Sequence, residues 1–252
     1  GMTYPRLIAL LSALVVVLFT ASLVTGHAGI GWGEGLWALV RDDGGPATIV
    51  MREIRLPRAI LGVLVGAGLG LCGAALQGFL RNPLAEPGLI GVSGAAALGA
   101  VLAIHTGLSA AFALALPTAA LAGAVLAVLV ILLLAGPRGR VLSLILAGIA
   151  VSALAGAATS LVLNLSPNPY AAAEIVFWMM GSLADRSMTH VWLAAPFILA
   201  GGAVLLVCGR GLDALTLGED AAATMGVSVT RLRLAVVLGT AAVVGAATAV
   251  AG

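Results

Sequence analysis

Long apolar runs broken by short polar stretches dominate the chain. Seven runs qualify or nearly qualify as membrane spans, at residues 7–25, 59–80, 88–104, 110–135, 141–165, 188–208 and 234–252. A helix needs about 20 apolar residues to cross about 30 Å of hydrocarbon, and each of these is close to that length. None of them contains Asp, Glu, Lys or Arg. Residues 170–183 are apolar but short and carry Glu174, which predicts an interfacial or re-entrant helix. The predicted fold class is all-α, a polytopic transmembrane helical bundle forming a single domain over 1–252, with residues 209–233 as its longest polar connection.

Composition agrees with this pattern. Of the 252 residues, 62% are hydrophobic and 9% charged, whereas a soluble domain carries roughly a quarter charged residues to cover itself. The missing charge is replaced by lipid. The first run lacks a small-residue cleavage site and reads as a retained helix, and Gly1 ahead of Met2 reads as a residue added in cloning. A net charge of +2, made by scattered arginines, gives no reason to expect nucleic acid as a partner. Cys72 and Cys208 sit in apolar surroundings without metal-binding spacing and read as small buried hydrophobes. Gly62, Gly66 and Gly70 repeat every fourth residue, with Gly73, Gly94, Gly99, Gly148 and Gly156 continuing the theme. Such spacing predicts close helix packing.

With the N-terminus inside, alternation of sides puts seven arginines within (Arg6, Arg81, Arg138, Arg140, Arg210, Arg231, Arg233) and five outside (Arg41, Arg52, Arg55, Arg58, Arg186). Counting acids as well, the inner side carries +3 and the outer −1, and all four tryptophans fall outside. Both asymmetries favour this orientation. Arg52, Arg55 and Arg58 are the anomaly, a basic cluster on the face where such charge is disfavoured.

The chemical inventory narrows the function. The absence of ionisable groups from the runs argues against a proton relay at mid-membrane, although sodium coupling through hydroxyls and carbonyls leaves an ion-coupled secondary transporter or channel as the alternative reading. The chain has no lysine, so it cannot form the phosphate loop whose lysine reaches the terminal phosphates of ATP. Energy for active transport must come from another protein. Gly91-Val92-Ser93-Gly94 matches the nucleophile motif of intramembrane serine proteases. That activity is disfavoured because His105 is twelve residues further along the same helix, about 18 Å away at 1.5 Å per residue. His27 and His190 are assigned to the outer face, far from Ser93.

The segment from Arg55 to Gly94 resembles the FecCD-type permeases, the membrane subunits of ATP-binding-cassette importers for iron-siderophores, haem and cobalamin. The resemblance lies in Arg55-Leu56-Pro57-Arg58 opening a glycine-rich helix, Gln77 near its end, then Asn82-Pro83-Leu84-Ala85-Glu86-Pro87-Gly88 and Gly91-Val92-Ser93. Leu146-Ala147-Gly148, Trp178-Met179-Met180-Gly181-Ser182-Leu183 and the run from Leu217 through Glu219, Asp220 and Ala222 to Gly226-Val227 are similar at the later positions. The family pattern implies about ten spans, so the seven here are expected to be part of a longer permease.

It also implies a second permease copy, two ATPase subunits that carry the ATP and Mg while this chain holds no cofactor, and an external substrate-binding protein. The setting implied is a bacterial inner membrane with the N-terminus cytoplasmic. By residue, the resemblance implies docking of the binding protein at Arg55 and Arg58. It implies an inner gate at Asn82 and Leu84. ATPase coupling falls on a short helix carrying Glu219, Asp220, Ala222 and Gly226. Acids at its start, alanines within and a glycine at its end suit that helix, and the small side chains at Ala222 and Gly226 are expected to admit a partner closely.

Overall fold

The computed structural model describes residues 3–26, 29–41, 43–136, 141–166 and 168–252. His27, Asp42, Arg138 and Arg140, which entered the reading above, lie outside the described residues. Within them every regular element is helical. In chain order these are α1 (Tyr4–Val24), α2 (Trp32–Val40), α3 (Pro46–Ile49), a π-helical turn (Val50–Arg55), α4 (Leu56–Leu80), α5 (Val92–His105), α6 (Ala115–Ala135), α7 (Val141–Leu165), α8 (Pro169–Met179), α9 (Met188–Val207), α10 (Gly209–Leu215), α11 (Glu219–Thr224) and α12 (Val229–Ala251).

Among the described residues six helices are long and apolar enough to cross a membrane, and α5, with 14 residues, is the shorter seventh. All seven predicted runs are therefore helical, but four begin elsewhere by four residues or more, the run expected from 234 at Val229. The run expected from residue 59 is part of one helix from Pro46 to Leu80, because the charged stretch 52–58 that looked like a connection is itself helical. The run expected from 88 first makes a 3₁₀ turn, Pro87–Ile90, and becomes α-helical only after Gly91. The run expected from 110 begins its helix at Ala115. The short segment after 170 forms the helix α8, opened by Pro169 with the Asn168 side chain accepting the Tyr170 N–H.

The chain divides into two compact units, Gly1–Gly66 with Leu183–Trp192, and Ala67–Ser182 with Leu193–Gly252. In the first, Leu23, Ala38, Met51 and Ala59 form a small buried cluster joined by Phe19 and Leu56. In the second, α12 is the central helix, with 72% of its apolar window buried. Val236, Val243 and Val250 are fully enclosed at seven-residue intervals. Where lipid supplies no drive for helices to associate, close backbone approach and dispersion do the work. A Cβ on Gly99 would collide with the Ala119 carbonyl oxygen, and one on Gly123 with the Ala95 carbonyl oxygen, so α5 and α6 touch backbone to backbone at two reciprocal points. Gly201 meets α12 in the same way, its absent Cβ lying 2.6 Å from the Gly239 oxygen.

The glycine reading needs correction on α4 and at Gly156, which has nothing within 4 Å of a built Cβ. The four-residue repeat on α4 is not a packing seam within the described structure: Gly66, Gly70 and Gly73 have nothing within 4 Å of a built Cβ, and Gly62 only a Leu183 methyl at 4.0 Å. Gly68, outside the repeat, is the α4 glycine that packs tightly, against Val243 and Ile198. Cys72 and Cys208 are both buried and unbridged.

Candidate functional site

Three places carry the residues singled out by sequence. The first is the turn after α4. Helix α4 ends with Asn82 N–H donating to the Gln77 carbonyl at 3.1 Å, five residues back, while Arg81 takes the left-handed φ of 49°. This is a Schellman-type close, made here without glycine. Pro83 then prevents the helix from resuming. The Asn82 Oδ1 accepts the Leu84 N–H at 2.9 Å and the Gln77 Nε2 donates to the Pro83 carbonyl at 3.0 Å, so two amide side chains stiffen the turn from either side. Leu84 is left 85% exposed at its tip while Ala85 is buried. Asn82 therefore positions and Leu84 projects. The turn is seated further on: Gly91 has φ 77°, and a Cβ there would collide with the Gly148 carbonyl oxygen. A Cβ on Gly148 would in turn lie 2.6 Å from the Leu89 oxygen. The glycines of two separate motifs meet.

The second place is the connection between α9 and α12, which is mostly helical rather than an open loop. Glu219 and Asp220 occupy the first turn of α11, where the helix dipole favours negative charge. Gly226, with φ 85°, closes α11 by a second Schellman pair: Val227 N–H bonds to the Ala222 oxygen at 3.0 Å and Gly226 N–H to the Ala223 oxygen at 3.0 Å. Ala222 is fully buried, which corrects the expectation that it meets a partner; its methyl faces inward. The side chains that project are Leu217, 69% exposed, and Met225, 62% exposed. The sequence does not single them out, because Leu212 and Leu215 in the same connection are equally apolar and are buried.

The third place is the arginine cluster. Arg55 is 3% exposed and its Nη1 donates to the Leu23 and Val24 carbonyls at 3.0 and 3.1 Å. Arg58, half-buried, donates to the Ser22 carbonyl at 3.3 Å. Arg52 donates through Nε and Nη2 to the Leu39 carbonyl at 3.2 and 2.9 Å. The pair does not form an open basic patch: Arg55 is an internal donor, and only Arg58 retains an accessible surface. Ser93 and His105 lie on the same helix, α5, toward its opposite ends. No group of three or more His, Cys, Asp and Glu side chains suited to a metal occurs among the described residues.

The model of the FecCD transport family matches residues 14–252. The chain belongs to the FecCD transport family. With its six membrane-length helices it is an integral membrane protein. It is 34% identical over its whole length to the hemin transport system permease protein HmuU of Yersinia pestis, of which it covers 76%. It is 39% identical over 82% of its length to the cobalamin import system permease protein BtuC of Halobacterium salinarum, of which it covers 55%. A solved structure described as an inward-facing conformation of a metal-chelate type ABC transporter superposes with a TM-score of 0.85 at 31% identity, covering 99% of this chain and 77% of that one. The chain thus spans between about half and about three-quarters of the length of these relatives.

Proposed function

We propose that this chain is the membrane-spanning permease portion of an ATP-binding-cassette importer that carries an iron chelate, such as a siderophore or haem, or cobalamin. The observation that carries the reading is the α10–α11 connection. A pump whose chain holds no lysine for a phosphate loop must receive work from outside, and this connection offers an ordered surface for doing so. Leu217 and Met225 flank a helix whose exposed first turn is acidic. Such apolar anchors ringed by charge suit insertion into a groove on a partner protein.

In this reading two cassette ATPases, binding ATP and Mg, dock at α11, and two permease copies face each other with the Leu84 turns forming the inner gate. The N-terminus is cytoplasmic in the inner membrane, and an external binding protein sets a carboxylate against Arg58. The relatives named for hemin and for cobalamin support the class of cargo.

The test is to express the full-length permease with a cassette ATPase from the same operon and to measure chelate uptake into vesicles. Uptake is expected to require ATP hydrolysis and to survive collapse of the ion gradients. Uptake that follows an ion gradient without any bound ATPase would overturn the proposal in favour of secondary transport.

A further inference from the structure

The last four carbonyls of any helix lack partners inside it and need donors from elsewhere. Helix α1 carries no basic residue in its last turn and leaves through Thr25 in an extended conformation, so its own sequence offers little. The Ala21 oxygen is taken by the N–H and hydroxyl of Thr25. The Ser22 oxygen is taken by Arg58, and those of Leu23 and Val24 by Arg55. All four acceptors are accounted for, three of them by arginines more than thirty residues later. Helix α2 is finished the same way, with Arg52 on Leu39. Gly26 completes the fit, because a Cβ there would lie 2.8 Å from the Arg55 Nη2. A side chain at 26 would have to displace the guanidinium whose face the chain crosses as it leaves α1.

Apart from Phe19, which packs against the buried cluster, the remainder of α1 offers no comparable attachment among the described residues. Leu23 and Val24 are its buried residues, while Leu7, Ile8, Val16 and Val17, which point to four different sides of the helix, are all exposed. An apolar surface all round gives no preferred seam. The donors themselves project from a place where the backbone departs from the α-helix: Leu56 N–H bonds to the Met51 carbonyl, five residues back, at the end of the π-helical turn. Turns of this kind are uncommon and mark sites where a side chain must be aimed.

We infer that the π-helical turn Val50–Arg55, with Arg58 just beyond it, is a clasp that retains α1 in the first unit by its outer end, through cations seated on the negative ends of α1 and α2. The helix-terminus dipole favours cations there, and the bonds are charge-assisted. This accounts for basic residues on a face where they are otherwise disfavoured, and it stands whether or not a binding protein docks at Arg58.

The test places cysteines at Ala21 and Glu53, both exposed and both in the first unit, in a chain whose two buried native cysteines are replaced by alanine. The protein is spin-labelled and reconstituted in lipid nanodiscs, and the distance distribution is read by pulsed electron resonance. A single narrow distribution is expected for the parent. Arg55→Gln is expected to widen it at least twofold, and Arg55→Lys to restore most of the narrowness, since one ammonium can donate to both carbonyls as Nη1 does. If Arg55→Gln aggregates, Arg58→Gln is read instead, with a smaller widening expected. A glutamine variant that is as narrow as the parent would mean that α1 is held by something else and would overturn the inference.

Discussion

Gly91 and Gly148 illustrate how one absent methyl group can govern a site. At Gly91 an alanine meets two costs together, the left-handed backbone at φ 77° and collision with the Gly148 carbonyl oxygen. Gly91→Ala is expected to destabilise the second unit by about 2–4 kcal/mol, read as an earlier loss of monodispersity on heating. Gly226→Ala meets only the first cost, since nothing lies within 4 Å of its built Cβ, and is expected to lose only about 1–2 kcal/mol. Equal effects would show that the contact with Gly148 contributes nothing. For the same reason a bulky residue at 226 is a poor probe of ATPase docking, because backbone strain would accompany any steric effect. At the neighbouring turn, Leu84→Cys is expected to cross-link between permease copies to an extent that changes with the nucleotide state, whereas Ala85→Cys, buried, is not. Cross-linking at Leu84 that ignores nucleotide would exclude a gate there.

At the scale of elements, α11 was legible as a helix and misread as a surface. Its acids, alanines and closing glycine follow from local energetics, which neighbouring residues settle among themselves. Which alanine faces inward depends on packing, and no periodicity in six residues decides that; Ala222 turned out to be buried. The same limit applies to α4. Arg52, Arg55 and Arg58 suggest a polar connection until one sees that their partners are the carbonyl ends of other helices. Hydropathy counts such charges as exposed, whereas the structure pairs each cation with a helix terminus. The exposed apolar pair gives the clearer prediction for coupling. Leu217→Glu and Met225→Glu are each expected to lower ATPase association at least tenfold, equivalent to about 1.4 kcal/mol, while leaving expression and thermal stability unchanged because neither side chain is packed. Retained association in both would exclude the α10–α11 connection as the docking element.

For the whole molecule, the number and order of the membrane-spanning helices were readable because the bilayer demands a fixed length of apolar sequence. The pairing of those helices was not. Gly62, Gly66 and Gly70 show the spacing that favours helix contact, yet they pack on little or nothing among the described residues, while Gly99 and Gly123, on different helices, lock α5 to α6. Spacing along one helix cannot name the partner. Helix α5 itself has a further consequence. Fourteen residues rise only about 21 Å, against about 30 Å of hydrocarbon, and the segment that precedes it, Pro87–Ile90, is a 3₁₀ turn outside the α-helical bonding pattern. Such backbone is tolerated at depth only when protein shields it, and here Gly148 lies against it. The hydrophobic thickness of this protein is therefore uneven, and its preferred bilayer is set in part by its shortest span. Reconstitution into a series of lipids of increasing acyl length is expected to show greatest thermal stability in thin bilayers and a decline as the membrane thickens; a protein indifferent to acyl length would show that α5 is wholly screened from lipid.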